Sequence, residues 1–303
     1  MTSTVDKNFM EVIKSKVNVF GASSCWGAQD HDCDGGPQAL YALGLQRHIE
    51  EKGYECEIHH LAAPMTSDED PRKQDYIAEY CEVLANQVTQ CVKSQEKFAV
   101  IGGDHSVAIG TWGGVATAKL TQGDIGLIWV DAHMDSHTPF TTPSGAVHGM
   151  PLAVLLGKGD PVLTTLINEQ AKIKPQNVCL IGVRSYEEEE RLLLERLGVR
   201  VYYQDEIRSR GLAEVMNEAR ARVREQTVGY GISIDMDAID PEDAPGVGSP
   251  EPDGLSGQAL LRELKRSRHD QDLLGIEVVE LNPVKDKLGQ TSALALKLLL
   301  AVM

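Results

Sequence analysis

The sequence predicts an α/β protein built on a mostly parallel sheet with helices on both faces. Short apolar segments alternate with longer amphipathic segments along the chain, which is the pattern of repeated strand and helix units. The segment GLIWV at 126–130 is apolar throughout, as expected for a strand that is covered on both faces. No internal repeat, low-complexity tract or linker-like stretch interrupts the pattern, so we expect one domain spanning residues 1–303.

The individual elements follow from the period of the apolar residues and from the positions of Gly and Pro. Strands are expected at residues 17–20, 55–59, 98–101, 125–130, 178–183, 199–203, 229–234 and 273–279. Helices are expected at residues 37–51, 71–94, 106–120, 187–197, 212–224, 256–265 and 291–301.

The composition argues against several classes of protein. The net charge is −16 and no dense run of Lys or Arg occurs, so a nucleic-acid partner is not expected. No apolar segment is long enough to span a membrane. Residues 1–10 are polar and lack the apolar centre of a signal peptide. We therefore expect a cytoplasmic protein whose 6 cysteines are reduced thiols.

Acidic residues and histidines follow four of the predicted strands directly. These segments are GGDHS at 102–106, DAHMD at 131–135, DMDAIDP at 235–241 and ELNP at 280–283. Ligands of open parallel sheets bind beyond the carboxyl ends of the strands. None of the four segments contains Lys or Arg, so the converging carboxylates would repel each other unless a metal compensated them.

Two imidazoles and four carboxylates make up the candidate metal ligands, which are His105, Asp131, His133, Asp135, Asp235 and Asp237. This set is too large for one tetrahedral zinc and suits two metals that share carboxylates. Oxygen and imidazole ligands without thiolate favour Mn²⁺, with Co²⁺ or Ni²⁺ as alternatives. A single Asp-x-Asp segment commonly only forms a turn, so the prediction depends on several such segments at successive strand ends. Asp104 is expected to cap a helix or support a ligand, and Asp240 to be structural.

These motifs resemble the ureohydrolase (arginase/agmatinase) family over nearly the whole chain, from GA at 21–22 and GGP at 35–37 to ELNP at 280–283. The resemblance implies a three-layer α/β/α domain with an eight-stranded sheet, two Mn²⁺ per chain, and a homo-oligomer that is a trimer or a hexamer. It also implies that one metal binds His105, Asp131, Asp135 and Asp235. The other metal would bind His133, Asp131, Asp235 and Asp237.

The segment TPFTTPSGAVHG at 138–149 resembles the substrate loop of the arginase branch, TPxTTxSGNxHG. By this resemblance His148 is a proton shuttle, Glu280 holds the guanidinium group, and Asp135 completes the catalytic residues. The resemblance further implies a set of substrate contacts, which are Ser144, His137, Glu187 and Ser249.

Three positions depart from the arginase pattern. His137 and Ala146 stand where arginases carry Asn, and Glu187 stands where they carry an Asp that meets the α-amino group. A second interpretation of Glu187 is structural, because Ser185 and Glu188 have the spacing of a capping box and acids favour a helix start. The departures leave the metal chemistry intact and the amino-acid specificity open.

The resemblance implies hydrolysis of a small guanidinium substrate, L-arginine to L-ornithine and urea, by attack of a metal-bridging hydroxide. Related alternatives are a guanidinobutyrase, an agmatinase or another guanidino-acid hydrolase. A zinc-dependent deacetylase of related fold is an alternative of another class, although it needs only one metal. A non-catalytic paralogue is a third alternative, although such proteins typically lose metal ligands.

Overall fold

The computed structural model describes residues 15–63, 67, 70 and 72–303. The interpretation of residues 1–10 as a polar segment lies outside these residues. The predicted start of a helix at residue 71 also lies outside them.

The strands form one eight-stranded sheet in the order β2-β1-β3-β8-β7-β4-β5-β6. Their bounds are β1 (Lys16–Ser23), β2 (Glu55–Ala62), β3 (Lys97–Gly102), β4 (Gly126–Val130), β5 (Val178–Val183), β6 (Arg200–Tyr203), β7 (Tyr230–Asp235) and β8 (Leu273–Val279). Every pairing in the sheet is parallel. The predicted fold class is thus confirmed.

Helices connect the strands in the manner of strand–helix–strand units. Their bounds are α1 (Gly36–Ala42), α2 (Leu45–Glu51), α3 (Lys73–Lys93), α4 (Ala108–Lys119), α5 (Pro151–Leu155), α6 (Pro161–Thr164), α7 (Glu188–Leu197), α8 (Gln204–Arg210), α9 (Leu212–Arg224), α10 (Gly257–Lys265) and α11 (Gln290–Ala301). A 3-10 turn, His105–Val107, precedes α4, and another, Met236–Ala238, follows β7.

Alternate side chains of the central strands enter two separate apolar layers. In β4, Ile128 and Val130 pack into one layer, whereas Leu127 and Trp129 pack into the other. Each layer lies between the sheet and the helices on that face. Both faces of β4 are therefore buried, which explains why its sequence is apolar throughout.

Some predicted elements were wrong in detail. The helix expected at 37–51 is two helices, because the chain turns at Gly44, whose φ of +78° lies in the left-handed region that interrupts a helix. The short helices α5, α6 and α8 were not predicted, since they have too few turns to show a helical period. No helix of the part described here is long and apolar enough to cross a membrane.

The expectation that every cysteine is a reduced thiol was wrong for one pair. Cys25 and Cys33 form a disulfide, with their Cα atoms 5.9 Å apart. A 3-10 turn at Asp32–Gly35 folds the loop after β1 back on itself and brings Cys33 towards Cys25. The spacing of the two residues in the sequence does not reveal this fold. Cys56, Cys81, Cys91 and Cys179 are free and buried.

Candidate metal centre and substrate cavity

The four strands that precede the acidic segments are neighbours in the centre of the sheet. Strands β3, β8, β7 and β4 follow one another in this order, and because all of them are parallel their carboxyl ends meet at one edge. The sequence predicted that each segment would end a strand, and the sheet order then brings the four segments together. The site lies where the strand order changes direction, which is where open α/β sheets commonly bind ligands.

His105 faces three carboxylates from two neighbouring strands. Its Nδ1 atom lies 3.3 Å from Asp131 Oδ2, 3.0 Å from Asp135 Oδ2 and 3.2 Å from Asp235 Oδ2. All four residues are buried. One nitrogen and three oxygens thus surround a single small space.

A second group of ligand atoms lies beside the first. His133 Nδ1 is 3.1 Å from Asp237 Oδ2 and 3.5 Å from Asp131 Oδ1. Asp131 presents one oxygen to each histidine, so its carboxylate is shared between the two groups. All six predicted ligands therefore come together, in an arrangement suited to two cations that share a carboxylate.

The charges of this cluster are not balanced by the side chains alone. Burial and the neighbouring carboxylates raise the pKa of Asp135 to about 7 and raise the pKa of Asp235 well above its usual range. Burial opposes the charged form of both histidines, but the facing carboxylates outweigh it and raise the pKa values of His105 and His133 well above their usual range. The negative charge of the cluster must therefore be compensated, either by bound protons or by metal cations.

The hydrogen bonds around His105 show that a cation fits. Its Nε2 atom lies 3.0 Å from Ser233 Oγ, and the Ser233 hydroxyl donates to Glu277 Oε2 at 2.7 Å. Nε2 therefore carries the hydrogen, and in the neutral ring Nδ1 offers a lone pair. Among the described residues, buried His105 Nδ1 and Asp135 Oδ2 have no hydrogen-bond partner. The lone pair of His105 Nδ1 and the carboxylate oxygens that surround the same space are therefore suitable ligands for a cation.

Two tryptophans that support buried carboxylates were missed by the sequence analysis, as was one of those carboxylates, Glu277. Trp129 Nε1 donates to Asp131 Oδ2 at 2.8 Å, and Trp112 Nε1 donates to Glu277 Oε2 at 3.0 Å. Glu277 is fully buried in the middle of β8. A charged residue inside an otherwise apolar predicted strand was the signal that could have identified it.

A third supporting group lies behind His133. Ser185 donates from Oγ to Glu251 Oε1 at 3.1 Å, and that oxygen lies 3.9 Å from His133 Nε2. Arg184 donates to the backbone oxygens of Asp237 and Glu251, each at 2.8 Å. The guanidinium group thereby joins the loops after β7 and β5. Nothing in the sequence pattern placed Glu251 near the metal ligands.

His148 and Glu280 form a pair at the edge of the metal cluster. His148 Nδ1 lies 3.1 Å from Glu280 Oε1, which also accepts from the backbone N–H of His105 at 3.0 Å. Burial favours neutral forms, but this contact raises the pKa of His148 to about 9 and lowers the pKa of Glu280. At neutral pH the pair is therefore an imidazolium next to a carboxylate. The backbone N–H of His148 donates to Gly27 O at 3.1 Å, which fixes its loop.

Two of the site residues have strained backbones. Asp135 has a φ of +47° and Glu280 a φ of +61°, in the left-handed region that costs non-glycine residues on the order of 1–3 kcal/mol. The N–H of Glu280 donates to Gly103 O at 2.7 Å. The surrounding structure thus holds both carboxylates in place against a local preference, as is common at functional sites.

The comparisons with known proteins agree with this geometry. A family model described as the arginase family matches residues 15–303. The chain belongs to the arginase family. The arginase of Brevibacillus brevis is 37% identical over 96% of this chain and 98% of its own length. The arginase of Bacillus caldovelox is 36% identical over 93% of this chain and 96% of its own length.

Solved structures of arginases have the same fold. The crystal structure of arginase from Bacillus cereus superposes with a TM-score of 0.89 at 34% identity, covering 95% of this chain and 98% of that one. The arginase of Entamoeba histolytica in complex with L-ornithine superposes with a TM-score of 0.88 at 26% identity, covering the same shares. The eight-stranded sheet of the arginase fold is therefore confirmed for this chain.

In this member of the arginase family a cavity of about 150 Å³ leads from the metal ligands outwards. Its walls include all of the predicted substrate contacts and both His148 and Glu280. The lining residues are His105, His133, Asp135, His137, Pro143, Ser144, His148, Gly149, Glu187, Glu190, Asp235, Asp237, Ser249 and Glu280.

Glu187 lines this cavity and also begins a helix. It is the N-cap of α7, and its capping-box partner is Glu190. The capping box expected from Ser185 and Glu188 was wrong by two residues, because the chain stays extended through Glu187, whose φ and ψ are −95° and 155°. Asp104 caps the 3-10 turn by accepting from Ser106 N at 2.8 Å, and Asp240 accepts from Glu242 N at 2.9 Å in a turn, as expected.

Proposed function

We propose that this chain is an arginase that hydrolyses L-arginine to L-ornithine and urea with two Mn²⁺ ions. The observation that carries the proposal is the pair of ligand groups that share Asp131 beside Glu280 and His148. Membership of the arginase family and the arginase-like loop at 138–149 support L-arginine as the substrate. The ligands would be His105, Asp131, Asp135 and Asp235 for one cation, and His133, Asp131, Asp235 and Asp237 for the other.

The metal pair, when bound, generates a hydroxide nucleophile near neutral pH and stabilises the negative charge that develops during hydrolysis. Oxygen and imidazole ligands without thiolate support Mn²⁺ as the cation, with Co²⁺ or Ni²⁺ as alternatives. The absence of cysteine from both groups is consistent with this choice.

Glu280 binds and orients the guanidinium group. Its Oε1 atom is committed to His105 and His148, which leaves Oε2 for the substrate. Its lowered pKa keeps it a carboxylate at neutral pH, and a charge-assisted hydrogen bond from a guanidinium is worth about 1.5–3 kcal/mol. The backbone N–H of Glu280 donates to Gly103 O at 2.7 Å, which holds this carboxylate beside the proposed metal ligands.

His148 supplies the proton that the leaving amine needs. Its Nδ1 atom is held by Glu280, and Nε2 is left to donate to the amine and to exchange with solvent. The side chain is 29% exposed, so solvent can reach it. With a pKa near 9 it is protonated at neutral pH, as a general acid must be before it acts.

Urea release from L-arginine by protein loaded with Mn²⁺ tests the proposal. We expect equal amounts of urea and L-ornithine from the native chain. We expect a loss of about 10²-fold or more in kcat/KM for Glu280→Gln, because the neutral amide cannot pair with the cation. No urea from a protein shown to hold two cations per chain would contradict the proposal.

The cytoplasmic location and the trimeric or hexameric assembly expected from the sequence stay predictions. Light scattering coupled to size-exclusion chromatography measures the assembly directly. A monomer at micromolar concentration would contradict it.

A further inference from the structure

The loop after β1 carries the disulfide of this chain. Cys25 and Cys33 are 8 residues apart in the sequence, and their Cα separation of 5.9 Å lies within the usual range for a disulfide. The other cysteines are free and buried. Burial raises the pKa of Cys56 and Cys91 to about 11, so these thiols stay protonated and unreactive near neutral pH. Thiol–disulfide exchange is therefore expected at Cys25 and Cys33.

A cavity of about 260 Å³, separate from the substrate cavity, leads to this disulfide. Cys25 lines it, and so do the exposed residues Asp34, Gln38 and Ala62. Cys25 and Cys33 themselves are only 3% and 2% exposed. Exchange requires a thiolate to reach a disulfide sulfur, so its rate depends on access. The cavity has room for a small thiol compound, whereas the burial of both cysteines disfavours attack by a protein thiol.

Gly27, which lies between the two cysteines, joins two parts of the candidate site. Its backbone N–H donates to Asp104 Oδ2 at 2.7 Å, and its carbonyl oxygen accepts from the backbone N–H of His148 at 3.1 Å. A side chain at Gly27 would meet Asp104 Oδ1 at 2.6 Å and Ser106 Oγ at 2.7 Å. The loop is thus packed tightly against these residues. A displacement of the loop would therefore also displace the backbone of His148.

A second connection between the disulfide loop and the candidate site is weaker. Asp30 Oδ2 lies 2.5 Å from Lys285 Nζ, which also donates to Gly248 O at 3.2 Å. Gly248 precedes Ser249, a residue of the substrate cavity. The side chains of Asp30 and Lys285 are 37% and 41% exposed, and exposed ion pairs contribute little. The backbone hydrogen bonds of Gly27 are therefore the main connection.

We propose that Cys25 and Cys33 form a reversible redox-modification site for small dithiols, and that their disulfide holds His148 in the position needed for turnover. In the reduction, a thiolate of the dithiol attacks one sulfur of the pair and releases the other as a thiol. The second thiol of the reductant then displaces the first protein sulfur. The protein gains two electrons and two protons, and the dithiol becomes a cyclic disulfide. Because the effect on turnover is an effect on His148, the inference deepens the proposed function and rests on it.

Reduction should act on His148 by loosening the loop. The disulfide closes the segment 25–33, and its loss gives this segment more conformational freedom. The hydrogen bond from His148 to Gly27 should then persist for less of the time, while Gly27 keeps its bond to Asp104. We expect kcat to fall about three- to tenfold, less than the about 10²-fold that a 1 Å displacement of a catalytic group can cost.

Titration with a small dithiol tests the inference. Protein loaded with Mn²⁺ is equilibrated with mixtures of reduced and oxidised dithiothreitol, and free thiols are counted by alkylation and intact mass. As two additional thiols appear, kcat for L-arginine should fall about three- to tenfold and KM should change less than about twofold. Oxidised dithiothreitol should restore the rate. An unchanged kcat when both thiols have appeared overturns the inference. A constant thiol count in all mixtures also overturns it.

Substitutions assign the response to this pair. The double change Cys25→Ser with Cys33→Ser should have the kcat of the reduced protein in every mixture and show no response to dithiothreitol. Cys91→Ser is the matched control, because Cys91 is a free, buried cysteine outside the loop, and it should keep the full response. A response that persists in the double variant, or that is lost in Cys91→Ser, overturns the inference. The titration of the native chain remains decisive if a variant fails to fold.

Hydrogen exchange separates this inference from the proposed function, since it needs no turnover. In the metal-loaded protein, the backbone N–H groups of Gly27 and His148 should exchange faster after reduction, whereas those of α9 should not. Faster exchange without urea release from either form would contradict the hydrolase proposal alone. Unchanged exchange at His148 overturns the inference. Loss of cations on reduction also overturns it, because the dithiol would then act by removing the metal.

Discussion

The inner and outer ends of the substrate cavity are built from different parts of the fold. The inner residues, which are the candidate metal ligands and Glu280, end or closely follow the central strands β3, β4, β7 and β8. The outer residues lie in the segment 137–149 and at the start of α7, and they are His137, Ser144, Glu187 and Glu190. Strand ends in a packed sheet have little freedom to move, whereas loops tolerate substitution. The proposed metal site is therefore positioned by the sheet, and the outer end of the cavity is positioned by the loops.

The largest effect should come from the carboxylate shared by the two ligand groups. Asp131→Asn is expected to lower kcat by at least about 10³-fold, because loss of one electrostatic group at a reacting centre already costs 10²–10³-fold. Elemental analysis should find fewer than two cations per chain. Asp240→Asn is the control, since Asp240 lies in the neighbouring acidic segment after β7 and accepts from the backbone N–H groups of Glu242 and Gly254. Equal losses in both variants would show that the effect is not specific to the shared carboxylate.

A smaller effect on turnover is expected for His148, which lies between the inner and outer ends of the cavity. His148→Asn should lower kcat by about 10²-fold, as is usual for loss of a general acid, and leave the cation content unchanged. Added imidazole should restore part of the rate by donating the proton from solution. Normal turnover in this variant would exclude His148 from proton transfer. Lost cations would instead place it in the metal-binding part of the site.

The affinity of the inner end for cations should depend on pH. In the metal-free protein the raised pKa values of His105 and His133 keep both imidazoles protonated at neutral pH. Each metal must displace such a proton, so the apparent affinity should rise with pH, by about tenfold per pH unit for each proton displaced. Calorimetry in buffers of different ionisation enthalpy measures the protons released. An affinity that is constant between pH 6 and 8 would contradict the protonation of these histidines.

The smallest effect concerns the support behind the ligands. Glu251→Gln should weaken binding of one cation by at most about tenfold, because Glu251 Oε1 lies 3.9 Å from His133 Nε2, beyond a direct hydrogen bond, and can orient the ring only by its charge. The other cation should bind as before, because Glu251 lies near His133 and not near His105. Competition with a chelator resolves the two affinities. Equal weakening of both sites would mean that the substitution disturbs the loop rather than the orientation of His133.

Much of this site could be predicted from the sequence, because most of its residues directly follow apolar strands. A buried parallel strand is an apolar run, and its first polar residues mark the ligand-binding edge. His105, Asp131 and Asp235 could be found in this way. Glu251 could not, because the loop after β7 brings it to His133, and no period or motif reports a contact between loops. For Glu187 the sequence left two interpretations open, a substrate contact or part of a helix start, and the structure makes it both the N-cap of α7 and a cavity wall.

The sequence by itself determined the fold class, the residue types of the candidate metal centre and the family resemblance, because each of these depends on short-range order along the chain. The tertiary structure alone decided that β3, β8, β7 and β4 are neighbours, that Asp131 faces both histidines, and that His137 is bonded to Glu187. These facts join residues that are far apart in the chain, and their distances depend on how the helices and loops pack against the sheet. The roles of the residues at the outer end of the cavity can therefore be interpreted only when the hydrogen-bond partners of each side chain are known.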